Sequence, residues 1–301
     1  PDYIQNKGFA WWPCVLGSGD TVVDVLGGDH DGTVSDPGWT SGSWVDNRAL
    51  TNTGTASGVV ETTTLGNPGF GQYLDDGFAI AFTIKAPHNQ GETTIMGARE
   101  RGANNKTPYF EVYHTNSYFG VQNTVALNVG DDYLTAAGDQ ELPEEGPARV
   151  VVNVPDSNPA NWEIYIDGVP VTTSIPNNGE NGTVSDSGTL LDEFQLFDSG
   201  YDDRQLDGVL DDVILFDEAL TCAEVQDDYS RQPYGSGGDS ANCGNGGNGG
   251  GSTPEQWSSD TIYRDGDRVV YNGTIYEAKW WVQSNEPGPE QWGPWSEIGP
   301  V

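Results

Sequence analysis

AKWWVQSNEPG, residues 278 to 288, sets Trp280 beside Trp281 just ahead of a Pro-Gly turn. Sugars present flat faces of C–H groups, and a planar aromatic ring offers matched apolar area and a negative π face that attracts those hydrogens. A row of exposed rings can therefore hold an extended polysaccharide without a deep pocket. The segment TIYEAKWW, 274 to 281, reads as one strand fed by the tight Tyr-Asn-Gly-Thr hairpin at 271 to 274. In a regular strand Ile275, Glu277, Lys279 and Trp281 face one way, and Thr274, Tyr276, Ala278 and Trp280 the other. The two tryptophans then have different jobs, unless a bulge or turn at the strand's end brings both outward. Asn285 and Glu286, in the loop that follows, are candidate polar contacts.

Nucleophilic or acid–base chemistry is harder to find. The three histidines, His30, His88 and His114, are scattered, and no nucleophile and base pair shows in the sequence. The Asp-rich stretch DGVLDDVILFDE, 207 to 218, reads as a terminal strand with Asp-capped turns. Three cysteines, Cys14, Cys222 and Cys243, cannot all pair within one chain, and the absence of a CxxC disfavours zinc. Cys222 and Cys243 flank a flexible segment and can close a short loop, which is the favoured pairing, with Cys14 buried and reduced. Pairing of Cys14 with either of the others stays open.

These residues sit in a chain of 301 residues with Asp+Glu 46 against Lys+Arg 12, a formal net charge of -34. The acids are dispersed rather than gathered in a tail. Such self-repulsion costs stability at low salt and is tolerable near molar salt, where screening lengths fall to about 3 Å. Adaptation to a salty medium is the expectation. Nucleic acid and anionic membrane are disfavoured partners on the same ground. No apolar run approaches the length of a membrane span, and PDYIQNKGFAWW has no signal-peptide pattern, so a mature form or an excised piece is expected. Sequons at Asn105, Asn181 and Asn272 are compatible with an extracellular life.

The sharpest change in composition is YGSGGDSANCGNGGNGGGST, 234 to 253, which has almost nothing to bury and reads as a flexible Gly-rich linker. It separates a domain at 1–233 from a small one at 254–301. Five tryptophans, Trp257, Trp280, Trp281, Trp292 and Trp295, fall in the small piece, which must use them as core or expose them for work. The large piece holds many short apolar runs bounded by Gly, Asp, Asn and Pro: 9–16, 78–86, 93–98, 109–114, 117–122, 148–154, 162–168, 193–197 and 208–216. In WEIYIDG the apolar Trp162, Ile164 and Ile166 alternate as a half-buried strand should. One stretch, ALTCAEVQDDYSRQP, reads as helix, with Thr221 as N-cap and Glu224 three residues on. The fold class is all-β, a sandwich or jelly roll plus a small all-β module.

FAWWPCVLGSGD, DVLGGDHDG, WEIYIDGVPV and above all LDGVLDDVILFDEALTCAEV resemble the laminin-G-like, concanavalin A-type jelly-roll domain over roughly residues 8 to 232. One departure is Thr83, where that family usually has Trp. The resemblance implies a structural calcium ion near the opening loop, with Asp24, Asp29 and Asp31 in the loop and Asp211 at the family's matching position. The plainer reading is that these acids belong to a generally acidic surface. Some relatives on the fold cleave β-glucans with a Glu-x-Asp-x-x-Glu strand, whose spacing suits a retaining mechanism; that motif is absent here, so the domain is expected to be non-catalytic.

From Trp257 onward, Tyr-x-x-Gly-Asp-x-Val at 263 to 269, the Tyr-Asn-Gly hairpin, Tyr-Glu-Ala-Lys-Trp-Trp, Glu-Pro-Gly and Trp-Gly-Pro-Trp together resemble the chitin-binding carbohydrate-binding modules of families five and twelve. The resemblance implies exposed sugar-binding aromatics at Tyr263, Trp280 and Trp281, with Trp257, Trp292 and Trp295 structural. It implies a secreted, non-catalytic binder of chitin-like polysaccharide or the accessory region of a chitinase, extracellular or at a cell surface. The alternative is an appendage, adhesin, filament or viral attachment component, its jelly roll mediating self-assembly or contact with a cell-surface partner and the module decorating the exterior, that of a virion included. A lectin-like first domain with its own glycan is a third and weaker reading, for which no binding loop can be located.

Overall fold

The computed structural model describes residues 1–14, 19–27, 30–35, 38–40, 48–53, 59–62, 77–88, 91–99, 110–115, 122–129, 134–144, 146–156, 161–171, 173–174, 193–197, 205–233, 256–259, 262–263, 268–279, 282–288 and 293–300. Two compact units emerge: Pro1–Leu220 with Glu224–Gly238, and Asp239–Val301 with Thr221–Ala223.

The first unit is a sandwich of two antiparallel sheets. One runs in the order Val169–Val171, Glu163–Ile166, Ala148–Val154, Phe78–Lys85, Asp207–Phe216, Ala49–Thr53, Gly38–Thr40, with Gly8–Trp12 also laid along Asp207–Phe216. The other runs Thr173–Ser174, Leu134–Gly138, Thr124–Val129, Phe110–Thr115, Thr93–Arg99, Glu193–Leu196, Val59–Thr62, Gly32–Ser35, Thr21–Val22. Alternation along each strand sends one set of side chains between the sheets. Trp12 and Phe78 come from the first sheet and Phe110 and Phe194 from the second, and they meet ring to ring: Trp12 stacks on Phe194 at 5.6 Å, Phe194 on Phe110 at 6.2 Å, and Phe110 tilts against Phe78 at 5.9 Å. Trp162, Phe82 and Leu215 complete the same buried core.

The expected strands at 78–86, 93–98, 109–114, 148–154, 162–168, 193–197 and 208–216 form within a few residues of those bounds, and the first run stops at Trp12, ahead of Pro13. The run at 117–122 lies almost wholly outside the described residues. The helix forms as Cys222–Ser230, directly after Thr221. A single helix was the expectation, and here the sequence reading needs correcting: Asp2–Lys7 forms a second, short one, with Tyr3 and Ile4 buried. Six residues show too little periodicity to be read in advance.

One strand carries an irregularity that the rest of the unit is built around. Asp211 pairs with Thr83 and Ile214 with Ala81, so three steps on Asp207–Phe216 face two on Phe78–Lys85. The extra residue is a β-bulge, and Asp212 within it takes a left-handed φ of 49°.

Candidate functional site

In the second unit, Arg268–Tyr271, Thr274–Ala278 and Trp295–Pro300 form a three-stranded sheet. Asn272 (φ 51°) and Gly273 (φ 82°) close the first hairpin, both with the positive φ that a two-residue turn of this kind requires. Val269, Tyr276, Ala278 and Trp295 are its buried core, with Trp257 and Tyr271 packed against it and set edge to face with each other at 5.4 Å. Trp295 is held from its polar end as well, Nε1 donating to Asn285 O at 2.9 Å. Trp295 and Trp257 thus serve the core; Trp292 lies outside the described residues.

The strand expected to run from Thr274 through Trp281 ends earlier. Ladder pairing stops at Ala278 opposite Trp295, and Lys279 is tied instead by its N–H to Pro294 O at 2.8 Å and by Nζ to Gly293 O at 3.2 Å. Pairing resumes at Val282–Gln283 in a different ladder, with Ile262–Tyr263, where Tyr263 stands opposite Val282. The alternation counted from Thr274 therefore does not run on to the tryptophans. Trp280 and Trp281, and the side chain of Tyr263, lie outside the described residues. What the backbone does place together is position 263 and position 282, one residue past Trp281.

The loop that follows is pinned at three points. Ser284 Oγ donates to Ser259 O at 2.9 Å, Asn285 O accepts from Trp295, and Tyr271 OH donates to Glu286 Oε2 at 2.9 Å. Ser284, Asn285 and Glu286 are all exposed.

In the first unit, the opening loop sets Asp24 against backbone donors. Its Oδ1 accepts from Trp11 N at 2.9 Å and Leu26 N at 3.0 Å, its Oδ2 lies 3.1 Å from His30 Nδ1, and Asp31 Oδ1 accepts from Asp24 N at 2.8 Å. Among the described residues, Asp24 and Asp31 thus accept from N–H groups of the loop and of the first strand. Asp29 lies outside the described residues, and Asp211 lies at the bulge. Among the described residues no three of His, Cys, Asp or Glu converge to hold a metal.

The bulge anchors a buried charge cluster that the sequence reading missed. Arg149, fully buried, donates from Nε to Asp228 Oδ2 at 2.6 Å, from one terminal nitrogen to Asp228 Oδ1 at 3.1 Å, and from the other to Asp212 O at 2.6 Å. Arg231 reaches Asp212 Oδ2 at 2.6 Å and Asp228 Oδ1 at 2.8 Å, with its guanidinium 5.7 Å from the Trp11 ring. Gln232 and Trp11 donate to Asp212, and Tyr3 donates to Asp228. Thr83, where a Trp was the family expectation, borders this cluster: its Oγ1 lies 3.4 Å from Arg149 and 3.5 Å from Gln232 Oε1. Burial alone would raise the carboxyls of Asp212 and Asp228, but Arg149 and Arg231 hold both below the ordinary range. The cluster ties the first helix, the last helix and the residues after it to the sheet.

Asp211 is different. Its Oδ1 accepts from Asp212 N at 2.8 Å, its Oδ2 has no hydrogen-bond partner, and the Cys14 thiol lies beside it. Burial first, and then the charge of Asp212, push Asp211 from 3.8 up to about 8. In the core, His114 has both ring nitrogens unpartnered, and burial, then His88, bring it from 6.5 down to about 4. The two act oppositely. A raised Asp211 contributes stability that is full below about pH 3.8 and lost as pH rises to about 8; a lowered His114 contributes stability that is full above about pH 6.5 and lost as pH falls to about 4. They cancel between about pH 4 and 6.5. Asp211→Asn should therefore uncover a rise in stability across that window and remove a loss of roughly 1–2 kcal/mol between pH 6.5 and 8. Urea denaturation at fixed salt measures the difference between the two proteins, and parallel profiles would refute the assignment. Cys14 is buried and free, while Cys222 is disulfide-bonded; Cys243, its expected partner, lies outside the described residues.

Comparison with known proteins gives each unit relatives. Residues 60–226 match the concanavalin A-like lectin/glucanases superfamily, and residues 256–296 match carbohydrate-binding module family 5/12. Endoglucanase A of Evansella cellulosilytica is 44% identical over 43 residues, 14% of this chain and 9% of that protein. Chitinase A of Pseudoalteromonas piscicida is 53% identical over 32 residues, 11% of this chain and 4% of that one. The chain thus spans a small fraction of these curated relatives. Among solved structures, Trypanosoma rangeli sialidase in complex with sialic acid aligns with a TM-score of 0.52 at 15% identity, covering 73% of this chain and 32% of that one. Domain 4 of a GH43 extracellular arabinanase from Geobacillus stearothermophilus, in complex with arabinotriose, aligns with a TM-score of 0.52 at 16% identity over 73% and 97%. At such identity the likeness is one of fold alone.

Proposed function

The chain belongs to the concanavalin A-like lectin/glucanases superfamily and carries a family 5/12 carbohydrate-binding module behind that domain, and from this premise we propose that it is a secreted, salt-adapted, non-catalytic binder of chitin-like polysaccharide, or the accessory region of a chitinase. The observation that carries the reading is the module itself. Its hairpin and Trp295-centred core are built, and a chitinase and an endoglucanase carry segments like it. The missing Glu-x-Asp-x-x-Glu strand supports a non-catalytic role. The charge of -34 supports an extracellular, salty setting. Assembly into an appendage has less support, because the free Cys14 is 1% exposed and closed to cross-linking between copies.

The whole chain should be retained on insoluble chitin in molar NaCl, be displaced by soluble chito-oligosaccharides, and release no reducing ends. Passage through the column as fast as an unrelated acidic protein would sink the binding assignment, and released sugar would sink the non-catalytic one.

A further inference from the structure

Both a chitinase and an endoglucanase carry segments similar to the module, so the aromatic platform by itself leaves open which β-linked polymer is preferred. Stacking reads the C–H faces that all such polymers share; orientation and discrimination come from a few placed polar groups. One charged group close in sequence to the aromatic pair is placed in this way. Glu286 stands five positions past Trp281, exposed, on the loop pinned by Ser284 to Ser259 and by Asn285 to Trp295. Its Oε2 accepts from Tyr271 OH at 2.9 Å, and the Tyr271 ring is in turn braced edge to face on Trp257 at 5.4 Å. Hydrogen bonding to Glu286 raises the Tyr271 hydroxyl above its ordinary value, as expected of a phenol that donates to a carboxylate. A carboxylate fixed by one oxygen keeps lone pairs on the other for a ligand. Being held in advance, it loses little freedom on binding.

Resting on the reading of the module as a polysaccharide binder, we propose that Glu286, held by Tyr271, is an anionic subsite that favours amino-sugar polymers bearing free ammonium groups, that is, partly deacetylated chitin. Cellulose offers it only hydroxyls and fully acetylated chitin only hydroxyls and neutral amides. An ammonium donor forms a charge-assisted bond, roughly twice as strong as a neutral one. Because the pair is exposed, the preference is salt-dependent: present at low ionic strength and largely screened near molar salt.

The test compares retention of the whole chain on fully acetylated chitin and on partly deacetylated chitin, at low and at molar NaCl, for wild type, Glu286→Gln, Tyr271→Phe and Glu297→Gln. Glu297 is exposed on the Trp295–Pro300 strand and removes the same charge elsewhere on the module. Glu286→Gln should weaken low-salt binding to the deacetylated polymer roughly threefold to fivefold, the scale of an exposed ion pair. It should leave acetylated chitin unchanged, and Tyr271→Phe should fall between it and wild type. Glu297→Gln should behave as wild type. Equal losses for Glu286→Gln and Glu297→Gln would overturn the subsite, because the net charge of -34 would then account for the attraction. Equal losses on both polymers would overturn the charge preference while leaving chitin binding intact. Wild type that binds neither polymer removes the reading on which the subsite rests.

Discussion

Arg149→Met should lower the melting temperature of the first unit by roughly 10 °C. Arg149 is fully buried and meets both Asp212 and Asp228. Removing it leaves Arg231, whose side chain is 20% exposed, as the one cation among the described residues contacting two buried carboxylates. Breaking a buried pair from one side costs about 3–5 kcal/mol, because the remaining charge stays desolvated. For a unit of this size each kcal/mol shifts melting by about 2–4 °C. Two companion measurements separate the charge effect from lost packing. Arg149→Met combined with Asp228→Asn removes one cation together with one carboxylate, leaves Asp212 paired with Arg231, and should recover part of the loss, since neutral replacement of a buried pair is often tolerated. The drop should also be the same at 0.2 M and 2 M salt, to about 2 °C, because buried pairs are screened far less than exposed ones. A single variant that melts with wild type, or a deficit that disappears in high salt, would show that the cluster does not hold the unit together.

That cluster also marks the limit of what the sequence disclosed. Strands such as Ala148–Val154 and Glu163–Ile166 were readable because their residues are β-branched or alternate strictly and their ends carry turn residues. The pairing of Arg149 with Asp228 was not, because it spans 79 positions and nothing local distinguishes one acid among 46. One signal was present and unread. Leu210, Val213 and Leu215 all enter the same core, although the step from 210 to 213 breaks a period of two. Only an extra residue in the strand reconciles them, and the bulge at Asp212 supplies it. Short edge strands such as Thr21–Val22 and Gly38–Thr40 escaped because two or three residues are too few to show a period. The loop acids were legible as acids, but the backbone groups they accept from were not. The N–H groups that occupy Asp24 come from Trp11 and Leu26, and side-chain chemistry alone does not show where a backbone donor will point.

On chitin, Trp280→Ala and Trp281→Ala should each weaken retention by roughly 5- to 150-fold, taking about 1–3 kcal/mol per stacked ring from aromatic stacking on nucleic-acid bases. An unbroken strand would have forced a different expectation. With parity running from Thr274, Trp280 would share the face of Tyr276 and Ala278, and its removal would have been a packing defect. The ladder instead ends at Ala278 and resumes at Val282 in another sheet, so strand parity counted from the core residues at 276 and 278 assigns no face to position 280. Affinity should therefore fall for both variants while the module stays folded. Because the rings are neighbours, the double variant need not equal the sum of the singles. Trp295→Ala is the reference for the other outcome: that ring is 2% exposed, and a buried Trp removed from so small a core costs about 3–5 kcal/mol. Near-ultraviolet circular dichroism and retention, measured on all three variants, separate the cases. If Trp280→Ala loses its fold as Trp295→Ala does, Trp280 is core and the platform reduces to Trp281 with Tyr263. If both single variants keep fold and full retention, polysaccharide binding resides elsewhere in the chain.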